Sequence, residues 1–286
     1  MQSFGGQTMY MPLRRVVVRR PDAGFGAADP ARWHYRHRPD LAAATAEHDA
    51  FVATLREAGA ETIAHAAALA DHADAIYVHD PVLISDRGAI LLRMGKPLRR
   101  GEEEALGATL EAAGVPIHAR LTGDALAESG DILWLDPETL AVGLGFRTNA
   151  EAVRQLRQAL SPAVNVLSYD LPYHTGPSAC LHLMSFVSLL DERLAVGFPR
   201  LMPTPFYQEL MRRGFTIVDV PEQEYDSMGC NVLALGPRDC LMLDVNPVTK
   251  SRLEAAGCRV RTYRGAEISL NCEGGPTCLT RPVLRG

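Results

Sequence analysis

The sequence predicts an α/β fold in which five similar units form a five-bladed α/β propeller with pseudo-fivefold symmetry. A pattern of hairpin, helix and strand recurs at a period of roughly 50 residues. Four complete hairpins accompany five helices, and both chain ends are strand-like. Pairing of residues 14–18 with residues 279–284 would supply the missing hairpin and close the ring. We therefore expect one domain over residues 1–286.

The helices are predicted from capping residues at their starts and, in most cases, from glycines at their ends. Asp40 precedes an apolar-periodic segment that stops at Gly59, and acidic residues from Glu102 onward fill a first turn, where the helix dipole favours them. Thr204 and Asn246 are each followed by proline, a favoured cap and first-turn pair. The helices are expected at residues 40–58, 102–114, 149–160, 204–214 and 246–257.

Each helix is followed by one strand and, between successive units, by a hairpin. Apolar runs predict the single strands at residues 61–64, 115–121, 164–171, 216–220 and 259–263. Paired runs broken by turn residues predict the hairpins at residues 76–92, 132–144, 181–196 and 232–243. A doubly wound parallel sheet would have a single strand between helices, so the added hairpins favour the propeller.

Composition and charge restrict the class of function. The chain has 29 Lys and Arg against 34 Asp and Glu, and its net charge of −5 disfavours a nucleic-acid surface. No apolar run approaches the roughly 18 residues that span a bilayer, and the first residues show no signal pattern, which predicts a cytoplasmic protein. Six cysteines without a C-x-x-C pair and nine histidines without metal-ligand spacing predict free thiols and neither metal nor other cofactor.

Ring closure would bring together, near the axis, the segments that enter the hairpins. These segments carry carboxylates, an imidazole and thiols: His79-Asp80, Glu128-Ser129-Gly130-Asp131, His182, Gly229-Cys230-Asn231 and Gly274-Gly275-Pro276-Thr277-Cys278. Singly, each of these residues has an ordinary structural interpretation, so their joint placement carries the hypothesis of a site.

Cys278 stands out among the cysteines because the two glycines before it let the backbone approach a ligand closely. Cys230 and Cys272 are weaker candidates, and the others, Cys180, Cys240 and Cys258, are expected to be structural. A thiol beside an imidazole is a nucleophile with a proton donor. Two nearby carboxylates would repel each other unless a cation lay between them, and a planar guanidinium matches carboxylate oxygens.

Five sequence blocks, in order along nearly the whole chain, resemble the guanidine-modifying enzyme superfamily, most closely the dimethylarginine dimethylaminohydrolases. Arginine deiminases and amidinotransferases are its relatives. The resemblance implies a five-bladed propeller of the pentein type, catalytic over residues 1–286, with a site that needs no metal. The blocks are residues 74–80 (DAIYVHD), 92–102 (LRMGKPLRRGE), 128–131 (ESGD) with 142–149 (VGLGFRTN), 181–183 (LHL) and 274–280 (GGPTCLT).

The resemblance also implies the roles of single residues. Cys278 would be the nucleophile and His182 the general acid and base, while Asp80 and Glu128 would grip the guanidinium. The remaining expected substrate contacts are Asp74 near the amine, Arg99 and Arg147 at the carboxylate, and Tyr77 and His79. A mobile N-terminal lid would correspond to residues 21–39.

Departures from the family pattern leave the substrate open. His79 stands where a carboxylate is usual, and Ser129 stands where a second glycine is usual. Met184 stands where deiminases and amidinotransferases place an aspartate, which favours the dimethylarginine branch. The Gly-Gly-Pro-Thr-Cys loop instead resembles the deiminase form.

The expected reaction converts dimethylarginine to citrulline plus dimethylamine through a covalent thiouronium on Cys278. One alternative is an arginine deiminase or amidinotransferase that acts on another guanidino compound. A remote alternative is a non-catalytic propeller of the kind seen in ribosome-binding initiation factors. We expect a small-molecule guanidino partner, no nucleic acid and no membrane, and a ring exterior that permits a homodimer.

Overall fold

Five three-stranded sheets of identical topology make up the computed structural model, which describes residues 3–69, 71–177 and 181–286. In each sheet the first two strands pair antiparallel, and the third pairs parallel with the second after a helix. The α/β architecture of five units, each of three strands and a helix, is therefore observed. The strands do not form the single sheet of the doubly wound alternative.

The elements are numbered in chain order. The strands are β1 (Leu13–Val18), β2 (Glu61–Ala64), β3 (Val82–Ser85), β4 (Gly88–Leu91), β5 (Ile117–Arg120), β6 (Ile132–Asp136), β7 (Thr139–Leu144), β8 (Asn165–Asp170), β9 (Val187–Asp191), β10 (Leu194–Gly197), β11 (Thr216–Asp219), β12 (Leu233–Gly236), β13 (Asp239–Leu243), β14 (Arg259–Tyr263) and β15 (Arg281–Arg285). The α-helices are α1 (Ala23–Gly26), α2 (Pro30–Trp33), α3 (Leu41–Glu57), α4 (Glu102–Ala112), α5 (Ala150–Leu160), α6 (Thr204–Arg212), α7 (Glu222–Tyr225) and α8 (Pro247–Ala255).

The two chain ends share one sheet. Strand β1 pairs antiparallel with β15, with Leu13 opposite Arg285 and Val17 opposite Arg281, and it pairs parallel with β2. Beyond the strands, the amide of Gly5 donates to the carbonyl of Val283. The predicted pairing of residues 14–18 with residues 279–284 is thus observed, shifted by about one residue.

Burial decreases from the first to the third strand of a sheet. Strands β3, β9 and β12 are buried along nearly their whole length, whereas β2, β5 and β11 are half-buried or exposed. Four apolar clusters lie between helices and sheets. Because burial of apolar surface is the main stabilising term, these clusters fix the sheets that carry the site.

Helix α3 shows how the local sequence produces an element. The side chain of Asp40 accepts hydrogen bonds from the amides of Ala42 and Ala43, which satisfies two donors that have no partner inside the helix. The helix stops before Gly59, whose φ of 93° suits a residue without a β-carbon. Its inner face is buried at helical spacing through Ala44, His48, Phe51, Val52 and Leu55.

Two regions differ from the sequence expectation. The first residues of the predicted hairpins at 76–92 and 181–196 are not strand, since 3-10 turns occupy Ala73–Ile76 and Leu183–Ser185 and strand pairing starts only at Val82 and Val187. The predicted lid, residues 21–39, contains α1 and α2, and the side chains of Asp22 and Asp29 cap them. Phe25, Trp33 and Tyr35 in that segment are buried, and this burial together with the capping carboxylates stabilises the two one-turn helices.

No helix among the described ranges is both long and apolar enough to cross a bilayer.

Candidate active site

A single cavity of about 440 Å³ is lined by the segments that enter all five antiparallel strand pairs. This volume lies in the usual range of small-molecule sites. Residues as far apart in the chain as Trp33 and Cys278 meet here, and each unit presents the same end of its first strand to the cavity. The residues that precede β3, β6, β9, β12 and β15 and line it are Asp80, Gly130, His182, Asn231 and Cys278.

Cys278 lies in the turn that leads into β15 and is partly exposed to the cavity. The Nδ2 of Asn231 donates to its Sγ at 3.3 Å, and the Oδ1 of Asn231 accepts from the amide of Thr277 at 3.1 Å. Any side chain at Gly275 would overlap the Asn231 carboxamide, so glycine is required for this close approach. An N–H donor aimed at sulfur favours the thiolate, which is the nucleophilic form.

His182 is buried at the wall of the cavity, and its ring packs against Gly130, where an added methyl group would overlap the imidazole. Its Nε2 lies 2.9 Å from the Oε2 of Glu128. The backbone of His182 is fixed as well, because its amide donates to the Oγ of Ser185 at 2.9 Å. The imidazole is therefore held in one orientation by a carboxylate, as expected of a proton-transfer group.

Glu128 is fully buried and lies behind His182, outside the cavity lining. Its Oε1 accepts from the amide of Lys96 at 2.8 Å, and an Nη of Arg147 lies 3.3 Å from both of its oxygens. Burial raises the pKa of Glu128, but the hydrogen bond and charge of His182, together with Arg147, outweigh it and hold the pKa well below its usual range. Both oxygens of this anion already contact protein groups.

Asp131 is a second buried carboxylate beside His182, and it stabilises the segment that carries this histidine. Its oxygens accept from the hydroxyl of Thr148 at 2.6 Å and from the amide of Leu183 at 3.0 Å. Burial raises the pKa of Asp131 to about 6, against the partly offsetting charge of His182. The residue thus fixes the backbone immediately after His182.

Asp80 faces the cavity and is anchored on both oxygens. Its Oδ1 accepts from the amide of Gly130 at 3.1 Å, and its Oδ2 accepts from Arg99 at 2.6 Å. Burial raises the pKa of Asp80, but the charges of Arg99 and His182 outweigh burial, so the pKa lies below its usual range. Asp80 is therefore an anion at neutral pH, and it lines the cavity together with His182 and Cys278.

Arg99 is buried, and all three of its guanidinium nitrogens have protein partners. It donates to Asp80, to the carbonyl of Tyr77 at 2.8 Å and to Glu102 at 2.8 to 3.2 Å. Burial raises the pKa of Glu102 to about 7 despite the charge of Arg99. This geometry makes Arg99 a support for Asp80, and its contact with a substrate carboxylate stays a prediction.

Asp74 lies at another part of the cavity lining, under the N-terminal segment. Its Oδ1 accepts from the hydroxyl of Tyr35 at 2.8 Å, and its Oδ2 accepts from the Nζ of Lys96 at 2.6 Å. The same Nζ reaches the carbonyl of Trp33 at 3.3 Å and lies 5.0 Å from the centre of its indole ring. Lys96 thereby ties the N-terminal segment to the wall of the site.

Tyr77 and His79 also line the cavity. The hydroxyl of Tyr77 donates to the carbonyl of Ile268 at 3.1 Å, and its ring packs on Gly274. Burial, with the charge of Arg281, lowers the pKa of His79 to about 3, so its imidazole is neutral. Because Nδ1 donates to the carbonyl of Thr280, Nε2 remains an acceptor, and it has no hydrogen-bond partner among the described residues.

The other cysteines are less suited to nucleophilic chemistry. Burial raises the pKa of Cys230 and of Cys272, which keeps both thiols protonated. Cys240 and Cys258 are buried away from the cavity, and Cys180 lies outside the described residues. Over the described part of the chain, no group of three or more His, Cys, Asp or Glu side chains is arranged to hold a metal ion.

The cavity therefore brings together eight of the nine predicted site residues: Cys278, His182, Asp80, Asp74, Arg99, Arg147, Tyr77 and His79. The ninth, Glu128, does not line the cavity and contacts it only through His182 and Arg147, which do. Sequence reasoning missed the roles of Asn231, Lys96 and Asp131. Asn231 and Asp131 stand in the hairpin-entering segments, so their position could have indicated them, whereas nothing in the sequence indicated that Lys96 pairs with Asp74.

Comparison with known proteins gives a consistent picture. Residues 32–284 match the family model described as N,N dimethylarginine dimethylhydrolase, eukaryotic. The chain is similar to the dimethylarginine dimethylaminohydrolase of Streptomyces coelicolor, with 30% identity over 94% of this chain and 97% of that protein. It is also similar to the enzyme of that name from Pseudomonas aeruginosa, with 27% identity over 94% and 98%.

Solved structures resemble the chain at the level of the fold. The Pseudomonas aeruginosa enzyme, solved as a cysteine-to-serine mutant with citrulline, superposes with a TM-score of 0.78 at 23% identity, over 94% of this chain and 98% of that one. An amidinotransferase of saxitoxin biosynthesis from Microseira wollei superposes with a TM-score of 0.82 at 15% identity, over 99% and 98%.

Proposed function

The chain belongs to the dimethylarginine dimethylaminohydrolase family, and from that premise we propose that it hydrolyses a guanidino carbon–nitrogen bond of an arginine derivative. One observation carries the proposal: Cys278, His182 and Asp80 face the same cavity, and Glu128 holds the imidazole of His182 at 2.9 Å. Dimethylarginine is the proposed substrate, and citrulline and dimethylamine are the proposed products.

We further propose that the five sheets close into a ring as one domain around this cavity. Neighbouring sheets contact each other through β15 with β3, β9 with β12 and β12 with β1. The turn at Leu183–Ser185 likewise contacts β6 of the neighbouring unit. These contacts support a propeller in which every unit contributes to the site.

In the proposed first step, the guanidinium lies against Asp80, whose charge offsets its own, and the thiolate of Cys278 attacks the guanidino carbon. A carbon–sulfur bond forms and gives a tetrahedral adduct. His182, as imidazolium beside anionic Glu128, donates its proton to the departing amine as the carbon–nitrogen bond breaks. A thiouronium on Cys278 remains.

In the proposed second step, neutral His182 removes a proton from a water molecule, and the resulting hydroxide attacks the thiouronium carbon. The carbon–sulfur bond then breaks as the hydroxyl proton of the adduct passes to solvent, so the neutral ureido product leaves and Cys278 is restored as a thiolate beside imidazolium His182. Glu128 stabilises each imidazolium and keeps the ring pointed at the cavity, so we assign it to positioning. Arg99 and Gly130 keep Asp80 in place for both steps.

The proposal is tested by a mass-spectrometric screen of dimethylarginine, monomethylarginine, arginine and citrulline. We expect release of dimethylamine from dimethylarginine by the wild type and none by Cys278→Ser. The control is Cys258→Ser, a change at a cysteine outside the cavity, which should retain activity. Full turnover by Cys278→Ser would refute the covalent step.

The products distinguish the alternatives. A deiminase releases ammonia from arginine, and an amidinotransferase forms a new guanidine on an acceptor amine. Because the fold is also similar to that of an amidinotransferase, the screen is repeated with an added acceptor amine, on which that reaction would form a new guanidine. A homodimer and a cytoplasmic location stay predictions for this chain.

A further inference from the structure

Four lysine and arginine side chains of the described residues line the candidate active site, and three of them are paired with carboxylates of the protein. These three ion pairs are Lys96 with Asp74, Arg99 with Asp80, and Arg147 with Glu128. The fourth side chain is that of Arg36, whose guanidinium has no hydrogen-bond or ion-pair partner among the described residues. Its charge is therefore available to a ligand.

The backbone of Arg36 is fixed although its side chain is exposed. Its amide donates to the carbonyl of Asn271 at 3.0 Å, and the amide of His37 donates to the Oδ1 of the same asparagine at 2.9 Å. On the other side, the hydroxyl of the buried Tyr35 donates to Asp74 at 2.8 Å. Because the main chain is already ordered here, only the Arg36 side chain would lose freedom when a ligand binds to it.

The chemistry of Arg36 matches a ligand carboxylate. A planar guanidinium can donate two parallel hydrogen bonds to a carboxylate, and such charge-assisted pairs are stronger than neutral hydrogen bonds. A carboxylate that left water for this cavity without a new partner would lose its hydration uncompensated. Since the other three cations are shared with protein carboxylates, Arg36 is the partner that costs the protein no existing ion pair.

The other charged groups near the lining leave this role to Arg36. Two exposed carboxylates, Asp226 and Glu273, also line the cavity, and neither forms an ion pair with Arg36. Solvent weakens their repulsion of a ligand carboxylate. Arg32 and Arg38 belong to the same N-terminal segment but do not line the cavity. Among the arginines of this segment, Arg36 is thus the one placed to meet a ligand.

We propose that Arg36 binds the carboxylate of the substrate and thereby determines that this enzyme prefers guanidino compounds with an acid group at the opposite end. The inference rests on the proposed function and adds a substrate-binding residue to it. Arg36 takes no part in bond making, so its loss should raise KM and leave kcat nearly unchanged.

The test compares kcat/KM for dimethylarginine and for its amide, in which a neutral carboxamide replaces the carboxylate. We expect the wild type to prefer the acid by about tenfold or more, as for a hydrogen bond between charged groups. Arg36→Gln should lose most of this preference through a higher KM for the acid, with kcat within about threefold of the wild type. Arg36→Lys keeps the charge and should retain part of the preference.

The matched control is Arg38→Gln, which removes the same charge two positions along the segment, at an exposed residue outside the lining. It should keep the wild-type preference for the acid. Three results would each overturn the inference: no preference in the wild type, an undiminished preference in Arg36→Gln, or an equal loss in Arg38→Gln. The last of these would show an effect of net charge alone.

A binding measurement separates this inference from the proposed function. Calorimetry with Cys278→Ser, alone and combined with Arg36→Gln, compares dimethylarginine and arginine with their amides without turnover. If the wild type hydrolyses none of them but the acids bind more tightly only when Arg36 is present, the proposed hydrolysis fails and the assignment of Arg36 stands. If dimethylarginine is hydrolysed but the double variant keeps the full preference for the acids, the proposed function stands and the assignment of Arg36 fails.

Discussion

Two buried carboxylates only three positions apart in sequence have opposite electrostatic environments. Glu128 has an imidazole and a guanidinium beside it, so its pKa lies well below the usual range. Asp131 has a hydroxyl and a backbone amide as its hydrogen-bond donors, so burial prevails and raises its pKa to about 6. The sequence Glu-Ser-Gly-Asp cannot show this difference, because the neighbours that decide it come from distant segments.

Asp131 should therefore give the stability of the protein a measurable pH dependence. Its folded pKa of about 6 exceeds its ordinary value, so its contribution to stability is complete below about pH 4 and is lost as the pH rises through 6. Asp131→Asn does not titrate. Between pH 5 and pH 7.5 the free energy of unfolding of the wild type should fall relative to that of the variant by about 1 kcal/mol, measured with urea.

The control for that measurement is Asp170→Asn, a change at an exposed carboxylate near the end of β8. It should follow the wild-type pH dependence. If the wild type and Asp131→Asn keep a constant difference across this range, the raised pKa of Asp131 is wrong.

Asn231 should control the reactivity of Cys278, because its Nδ2 is a donor to the sulfur at 3.3 Å. In Asn231→Ala the thiolate loses this donor, and alkylation of Cys278 by iodoacetamide should slow by about tenfold, as expected for one hydrogen bond to a charged group. Asn231→Asp replaces the donor with an anion and should slow alkylation further. Equal alkylation rates in all three proteins, followed by mass spectrometry, would show that Asn231 does not act on the sulfur.

At the scale of elements, the helices follow local rules and the segments before the first strands do not. Asp40 caps α3 as predicted, and the side chain of Asn149 caps α5. The predicted caps Thr204 and Asn246 make no capping hydrogen bond with their side chains, and Thr204 is itself the first residue of α6. The glycines after α3, α4, α6 and α8 all have positive φ. The residues before β3 and β9 are apolar and suggested strand, yet they form 3-10 turns. They do so because their backbone and side-chain groups bond to other units, as Leu183 does to Asp131.

The 3-10 turn at Ser129–Asp131 directly precedes β6, the first strand of its unit. We expect Gly130, in this turn, to be essential for activity. A methyl group at Gly130 would overlap the imidazole of His182 and displace it from Glu128. We expect Gly130→Ala to reduce kcat by about 100-fold or more, the usual result of a displacement of about 1 Å in a catalytic group. The reaction is measured by ureido product formation, with circular dichroism as a check on folding.

Gly145→Ala is the matched control for that variant. A β-carbon at Gly145 would lie 3.4 Å from Leu171, an ordinary van der Waals contact. It should therefore keep nearly wild-type kcat. A folded Gly130→Ala protein with wild-type kcat would mean that the packing of His182 on Gly130 is not needed for the reaction.

At the scale of the whole molecule, β15 links the two ends of the chain to three other units. The buried Arg281 donates to the carbonyls of His79 and Val82 and to the hydroxyl of Ser129. Arg285 donates to the carbonyls of Met11 and Ala234. Burial lowers the pKa of both arginines to about 9. These contacts hold together segments from both ends of the chain and from its middle.

Because the ends are adjacent, a circular permutant should fold. We expect a chain in which a short Gly/Ser linker joins Gly286 to Ser3, and new ends are opened between Glu192 and Arg193, to keep its circular dichroism spectrum. Its kcat/KM should stay within about threefold of the wild type, since exposed turns tolerate such cuts. Kinetics and thermal unfolding check both expectations.

A second permutant opened between Val16 and Val17 is the counterpart. Both side chains are fully buried in β1, which pairs with β2 and β15, so this protein should not fold. If opening at Glu192 prevents folding while opening at Val16 does not, the pairing of the chain ends does not organise the molecule.

The sequence by itself determined the elements whose causes are local. Caps, closing glycines and apolar periodicity identified five helices, the strands that follow them and five units that repeat at a period of roughly 50 residues. Five residue blocks identified the family. It did not identify the two one-turn helices inside the predicted lid, residues 21–39, because each of them combines a capping side chain with the burial of Phe25 or Trp33, and burial is not a local property. Whether the segment moves as a lid stays a prediction.

Only the tertiary structure decided how the site residues are connected. In the structure Arg99 donates to Asp80, and Glu128 contacts His182 from outside the cavity. Asn231 donates to the sulfur of Cys278, and Lys96 donates to Asp74. The physical reason is that hydrogen bonds and charges act over a few ångströms between groups that are dozens of residues apart in the chain. A side chain's type is written in the sequence, whereas its partner depends on which segments the packing of the five sheets brings into contact.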